Sequence, residues 1–312
     1  MKIAILIPCY NEEKDIEKVV TDFKRELPEA EIYVYDNNSK DATAELAKKA
    51  GAIVRHEYNQ GKGNVVRRMF REVDADIYVM TDGDCTYPAN QVHELIEPII
   101  NGTADMVVGD RLSNGSYKNE NKKFLHSFGN ELVKNTINSL FHVKLKDIMS
   151  GYRAFNKIFV RNMPILSPKF EIETEMTLYA LDKRFIIKEI PITYKDRQNG
   201  SESKVNSVSD GIKVIRKIFS MFKDYKPRSF FWSVAIIVAV IGILVGLPVI
   251  VEFVKTRYIT KMPSAILATG IMILSLIIAQ CGAILDTIVK HHREDFEHRL
   301  LNYEENLKKG QE

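Results

Sequence analysis

The sequence predicts an α/β domain with a mainly parallel sheet, followed by a membrane anchor of two helices. Three observations carry this expectation. Short β-branched runs alternate with helical patterns over the first 110 residues, which is the signature of βαβ units. Acidic residues recur where those strands should end. Past residue 228 come two uncharged stretches of 23 and 24 residues, each longer than the roughly 20 that cross a bilayer core.

Ile3 to Ile7 is a continuous apolar run, suited to a parallel strand covered on both faces. Ile16, Val19, Val20, Phe23 and Leu27 recur at helical spacing, and Pro28 closes that helix. Ile32 to Tyr35 is the second strand, a short helix runs up to Gly51, and Ala52 to Val54 is the third strand. Val65, Val66, Met69, Phe70 and Val73 mark the next helix, and Ile77 to Met80 the fourth strand. Val92, Leu95, Ile96 and Ile99 mark a helix before a strand over Asp105 to Gly109. Ligands of such sheets bind beyond the carboxyl ends of the strands. Pro8 to Glu12, Asp36 to Ser39, Asp82 to Asp84 and Asp110-Arg111 all fall there.

Residues 112 to 123 are polar and read as a loop. Phe124, Phe128, Leu132 and Leu140 mark a helix, Asp147 to Arg153 is an irregular motif, and another helix begins near Phe170. Ile186 to Tyr194 alternates as a strand before a polar loop, Lys195 to Ser209. Ile212, Ile215, Phe219 and Phe222 then form an apolar stripe interleaved with Lys213, Arg216, Lys217 and Lys223. That pattern suits a helix lying in a membrane interface. The expected division is a globular domain over 1–208, an amphipathic juxtamembrane helix over 209–228, a transmembrane hairpin over 229–285 and a tail over 286–312.

Positive charge orients the hairpin. Six Lys and Arg lie in the 20 residues before Ser229 and three in the 20 after Leu285, against three in the connecting loop. Both termini should therefore be cytoplasmic, and the expected membrane is a bacterial plasma membrane. The sequons at Asn101, Asn114 and Asn199 would then meet no glycosylation machinery. A formal charge of +3 over 312 residues argues against a nucleic-acid partner. Cys9, Cys85 and Cys281 lack metal-ligand spacing and read as small buried residues of a reducing compartment. Met1 to Pro8 enters a strand pattern directly and is not read as a secretory signal.

The chemistry centres on Ile77 to Pro88. A buried strand delivers Asp82 and Asp84 to its end, Gly83 permits a tight turn, and Pro88 is placed to open the next helix. Two aspartates one residue apart can hold a hard divalent cation, Mg²⁺ or Mn²⁺, shared with substrate phosphates. An isolated Asp-Gly-Asp is as readily a solvated turn, so the neighbouring motifs decide.

Ile7-Pro-Cys-Tyr-Asn-Glu12, Asp36-Asn-Asn-Ser-Lys-Asp41, Gly61-Lys-Gly63, Asp82-Gly-Asp84 and Ser150-Gly-Tyr-Arg153 together resemble family 2 glycosyltransferases of GT-A fold. Arg197-Gln-Asn-Gly-Ser-Glu-Ser-Lys204 is similar to the polyprenyl-phosphate branch, which includes dolichol-phosphate mannose synthase and bacterial undecaprenyl-phosphate sugar transferases. The likeness spans about residues 1 to 220. One departure is Asn37, where many relatives carry a second aspartate.

The resemblance implies an inverting transfer of a hexose from a nucleotide sugar to a polyprenyl phosphate. Asp-Gly-Asp-x-Thr-Tyr-Pro and Phe170 to Glu175 look more like members using UDP-glucose or UDP-N-acetylglucosamine, with GDP-mannose the alternative donor. Pro8, Tyr10, Glu12 and Asp36 are implied around the nucleoside, with Lys62, Asp82 and Gly83 completing the donor set and Asp82 and Asp84 holding the metal. Lys62 can approach a phosphate as a point charge, or the Gly-Lys-Gly triplet is only a flexible surface turn. Arg111, Arg153, Arg197, Ser203 and Lys204 are the expected acceptor-phosphate set. With Asp84, the four cations among them form the expected catalytic group. Glu173 and Glu175 either orient the sugar, act as a base, or are simply an acidic helix start. Self-association through the transmembrane helices is a further expectation. A processive polysaccharide synthase would carry Gln-x-x-Arg-Trp, whereas the single tryptophan, Trp232, lies inside the first span. A non-catalytic scaffold would have lost the carboxylate pair that this chain retains.

Overall fold

The apolar run that begins the chain becomes the central strand of a sheet. In the computed structural model, which describes residues 1–113, 124–168, 171–195 and 219–309, β1 (Ile3–Cys9) is buried along almost its whole length. Both faces are covered, as the absence of polar alternation requires. β2 (Glu31–Asp36) and β3 (Ile53–His56) follow on one side, and β4 (Ile77–Met80) lies on the other, all parallel. β5 (Met106–Asp110), β6 (Arg153–Asn156) and β7 (Ile187–Pro191) complete the sheet in the order β3-β2-β1-β4-β6-β5-β7. Only β6 runs antiparallel, paired to β4 and to β5.

Helices α1 (Ile16–Glu26), α2 (Thr43–Lys49), α3 (Lys62–Glu72) and α4 (Val92–Ile100) are the crossovers between parallel strands. Ile16, Val19, Val20 and Phe23 of α1 and Val65, Val66, Met69 and Phe70 of α3 are buried, so the 3.6-residue spacing reports the core-facing stripes. α5 (Phe124–Phe141), α6 (Lys157–Asn162) and α7 (Ile172–Asp182) come from the second half of this unit.

Several expectations need correction. The third strand lies at Ile53–His56, further along the chain than Ala52 to Val54. β6 has no signature in the sequence, because Arg-Ala-Phe-Asn is short, opens on a charge and shows no alternation. Pro88 caps a single 3₁₀ turn, Ala89–Gln91, before α4 begins. Of the three cysteines only Cys9 is buried; Cys85 is half-buried and Cys281 exposed. Burial pushes the Cys85 thiol up to about 11, which keeps it protonated and unreactive at neutral pH.

The chain divides into two compact units, Met1–Asp210 and Gly211–Glu312. In the second, α8 (Pro227–Thr256) and α9 (Met262–Lys309) form a helical pair. Both are long and apolar enough to cross a membrane, and few of their apolar residues are buried within the chain. Small residues set where they touch. A Cβ on Gly282 would lie 2.7 Å from Phe231 Cβ, and one on Gly242 would lie 3.0 Å from Met272 Sδ. Ser275 Oγ donates to the Ala235 carbonyl at 2.9 Å. Close backbone approach and an interhelical hydrogen bond are how helices associate when lipid offers no hydrophobic drive. α9 continues well past the apolar stretch, so most of the expected tail is helix rather than loose chain. Of the juxtamembrane helix, residues 209–218 lie outside the described residues, and 219–225 are helical.

Candidate active site

The site forms where β2 and β4 flank the carboxyl end of β1. Neighbouring crossovers leave there in opposite directions, which opens a crevice. The β1 and β2 loops are laced together beside it. The Asn11 N–H donates to Ser39 Oγ (2.9 Å), the Glu12 N–H to Thr43 Oγ1 (2.8 Å), and the Lys40 N–H to Asn11 Oδ1 (2.8 Å). Asn11 has φ +57°, a conformation that asparagine tolerates better than most residues. Pro8 thus lies near the end of β1, and Tyr10 and Glu12 lie on the braced turn that follows, with Tyr10 36% exposed.

Asp36 ends β2 and is 4% exposed. Its Oδ2 accepts from the Ser39 N–H at 3.2 Å and lies 3.4 Å from His56 Nδ1. Its Oδ1 is buried without a hydrogen-bond partner, and so is Thr81 Oγ1 after β4. Among the described residues these are two of only three such buried side-chain atoms. Buried polar atoms are almost always paired, so each one left over calls for an explanation, and a missing ligand is one. Asn37, the departure from the family pattern, faces inward. Its Nδ2 donates to the carbonyls of Glu57 (2.7 Å) and Asn59 (2.9 Å), and its Oδ1 accepts from the Gly61 N–H (2.7 Å). Asn37 therefore clamps the turn that precedes Lys62.

Lys62 is no flexible surface turn. It opens α3 behind Gly61, whose φ of +131° only glycine adopts readily. Its ammonium lies 2.6 Å from Asp82 Oδ1 and 2.7 Å from Glu173 Oε1. Burial alone would depress its pKa, but the two carboxylates outweigh that and raise it well above the ordinary lysine range. Gly151 presses on the same corner, since a Cβ there would lie 2.9 Å from Asp82 Oδ2 and 3.1 Å from Lys62 Nζ. The Gly151 N–H donates to the Tyr87 hydroxyl at 2.9 Å.

Asp84 is 6% exposed, and its Oδ1 accepts from the Thr86 N–H (3.2 Å) and hydroxyl (2.6 Å). Gly83 between the aspartates is required by space, because a Cβ would meet Cys9 Sγ at 2.7 Å. Among the described residues no group of three or more His, Cys, Asp or Glu side chains gathers to cage a metal. Two carboxylates on one turn instead fit a hard cation whose other ligands are phosphate oxygens and water.

The expected acceptor cations separate. Arg111, after β5, grips Asp147 with two parallel bonds, Nε to Oδ2 at 2.7 Å and one terminal nitrogen to Oδ1 at 2.9 Å, and lies over the Tyr194 ring. Burial would raise the Asp147 carboxyl, but the guanidinium overcomes this and holds it below the usual range. Arg153 is fully buried. It donates to the carbonyls of Ser150 (2.8 Å) and Ile148 (2.7 Å) and to Thr177 Oγ1 (3.0 Å). Burial pulls its pKa down to about 10. Arg153 thus ties β6 to α7 and does not present its charge to the crevice. Arg197, Ser203 and Lys204 lie outside the described residues.

Glu173 and Glu175 take different roles, although the sequence reading treats them alike. Glu173 is 6% exposed and holds Lys62. Glu175 accepts from the N–H groups of Leu166 and Ser167, both at 2.9 Å, and braces a loop. The spacing Glu-x-Glu at a helix start marks both residues, but only the packing distinguishes them. Tyr87, Gly151 and Asp147 fall within the motifs Asp82 to Pro88 and Asp147 to Arg153, but only the packing shows what each of them touches.

Residues 4–162 match the family described as Glycosyl transferase family 2. The chain belongs to that family. Over 293 residues, 94% of this chain and 95% of the relative, it is 30% identical to Glycosyltransferase AglJ of Haloferax volcanii. A dolichol-phosphate mannosyltransferase of Pyrococcus furiosus is 30% identical over 72% of this chain and 64% of its own length. A UDP-N-acetylglucosamine–dolichyl-phosphate N-acetylglucosaminyltransferase of Methanococcus voltae is 28% identical over 61% of this chain and 84% of its own. Among solved structures, the fold resembles glucosyl-3-phosphoglycerate synthase from Mycobacterium tuberculosis in complex with Mn²⁺, UDP and glucosyl-3-phosphoglycerate. The TM-score is 0.55 and the identity 18%, over 71% of this chain and 78% of that one. The family 2 chain described here is a glycosyltransferase on a GT-A fold, and its relatives include enzymes named for a dolichyl-phosphate acceptor.

Proposed function

We propose that this family 2 enzyme transfers a hexose from UDP-glucose or UDP-N-acetylglucosamine to a polyprenyl phosphate in the membrane, with inversion. The observation that carries the reading is the partnerless, buried Asp36 Oδ1 at the end of β2, on the other side of β1 from the strand β4 that leads into the Asp82–Asp84 pair. A nucleoside hydroxyl or base N–H would supply the missing donor to Asp36. Asp82 and Asp84 would hold Mg²⁺ or Mn²⁺, which when bound neutralises the leaving diphosphate. The lipid acceptor is supported by the names of the dolichyl-phosphate relatives and by the two long apolar helices. A polyprenyl chain cannot leave the bilayer, so the catalytic unit must be held against it. The charge asymmetry of the helix flanks favours the cytoplasmic side.

The acceptor makes a strong general base unnecessary. A phosphate monoester has a second pKa of about 6 and is largely dianionic at neutral pH. One of its oxygens attacks the anomeric carbon while the bond from that carbon to the diphosphate breaks on the opposite face. The chain's task is to hold two anions together. Arg111, its plane fixed by Asp147 and Tyr194, and the loop bearing Arg197, Ser203 and Lys204 are the groups assigned to the acceptor phosphate. Arg153 is withdrawn from that set.

The test offers purified protein and undecaprenyl phosphate a panel of radiolabelled UDP-glucose, UDP-N-acetylglucosamine and GDP-mannose. Label from a UDP-sugar should enter the lipid phase, and EDTA or Asp84→Ala should abolish the transfer. Label entering only from GDP-mannose would replace the donor. No lipid-phase label from any donor would remove the acceptor.

A further inference from the structure

Lys62 sits between two carboxylates in different surroundings. The Asp82 side chain keeps 28% of its surface, whereas that of Glu173 keeps 8%. One partner faces the crevice and the other the interior. Asp82, Asp84 and Glu173 set three negative charges against one positive, that of Lys62. A divalent cation would bring this corner to neutrality, but it and an ammonium repel each other over a shared carboxylate.

The lysine cannot simply withdraw. Its backbone is pinned, since a Cβ on Gly63 would fall 1.8 Å from the Ser167 carbonyl oxygen. Glu175 in turn fixes the Ser167 loop, and the Asn64 N–H reaches the Pro168 carbonyl at 3.4 Å. Only the four-carbon stem is left to swing, and α7 supplies both the brace for the turn and the carboxylate for the ammonium.

We propose that Glu173 is a positioning residue that retains Lys62 while Asp82 exchanges its ammonium for the divalent cation. Lys62 is then a stand-in counter-ion of the metal-free enzyme, and it turns toward the donor diphosphate once the metal is held. Glu173 makes the exchange possible, because an ammonium with Asp82 as its only partner would compete for that carboxylate. This rests on the assignment of Asp82 and Asp84 as the metal pair.

The experiment measures Mn²⁺ affinity of the full-length protein in detergent, without nucleotide, from the electron paramagnetic resonance signal of free Mn²⁺. Glu173→Gln should weaken binding by about tenfold, the low end for one charge-assisted hydrogen bond redirected onto Asp82. Lys62→Met should tighten it. The double variant should recover wild-type affinity or better, since removing the competitor makes the retainer irrelevant. Unchanged affinity in Glu173→Gln would overturn the proposal. A double variant as weak as Glu173→Gln would also overturn it, because Glu173 would then act as a ligand or as a structural support. Asp84→Asn separates the underlying assignment. If it leaves wild-type Mn²⁺ binding intact, the metal pair itself is wrong and the proposal falls with it. If it abolishes binding while Glu173→Gln changes nothing, only the positioning role fails.

Discussion

Gly151→Ala tests the Lys62–Asp82 corner with a single methyl group. No positive φ requires glycine at this position, so alanine brings no backbone strain. The new Cβ would lie 2.9 Å from Asp82 Oδ2, 3.3 Å from Asp82 Oδ1 and 3.1 Å from Lys62 Nζ. All three are ends of side chains, which yield by a few tenths of an ångström more cheaply than backbone. The fold should therefore survive. Loss of unfolded-chain entropy contributes about 0.4–1 kcal/mol in favour, roughly offsetting the crowding, so the melting temperature should stay within about 3 °C of wild type. Activity should not survive as well. Displacing the Asp82 carboxylate from the position in which it would hold the cation forfeits one charge-assisted interaction, about 1.5–3 kcal/mol, or roughly 10- to 150-fold in kcat/KM. Gly63→Ala is the contrast, because its Cβ would fall 1.8 Å from a backbone oxygen and should cost the fold itself. The assay is sugar transfer into the lipid phase beside a thermal melt of each variant. Wild-type turnover in Gly151→Ala would refute the importance of this corner, and a melting temperature lowered by more than about 10 °C would show that backbone carries the crowding.

Three other outcomes are expected. Asn37→Asp replaces the amide that donates to the Glu57 and Asn59 carbonyls with an acceptor, so it should destabilise by about 1–3 kcal/mol in denaturant melts and weaken nucleotide binding. The Asp147 carboxyl is held below the usual range, so the stability from its pair with Arg111 is present above the unfolded aspartate value of 3.8 and is lost as pH falls through the folded value. Urea midpoints should therefore drop more steeply as pH falls below about 4 in wild type than in Asp147→Asn. Arg197→Ala should raise the KM for polyprenyl phosphate or lower kcat by roughly 10- to 150-fold while nucleoside diphosphate binding, by calorimetry, changes less; Arg197→Lys should recover part of the loss, because an ammonium keeps the charge and loses the fork.

The local signals in this sequence are those of periodicity and of turn chemistry. Ile3 to Ile7 and Ile77 to Met80 announce buried strands because a strand covered on both faces tolerates no polar side chain. Asp36 and Asp82 to Asp84 announce themselves by falling at strand ends, and two long uncharged runs announce α8 and α9 because length and apolarity suffice. The sequence alone thus determined the parallel framework, the acidic crevice and the two apolar helices. It did not determine which charges meet. Arg153 and Arg111 look equally suited to a phosphate, yet β6 runs antiparallel between β4 and β5 and carries Arg153 into the interior. Nothing within Arg-Ala-Phe-Asn foretells that pairing, which depends on strands more than 40 residues away. Glu173 and Glu175 stand two apart on one helix, so their side chains leave in widely separated directions. One meets Lys62 and the other a loop backbone. The first joins residues more than 100 positions apart, and both are fixed by packing rather than by any local preference.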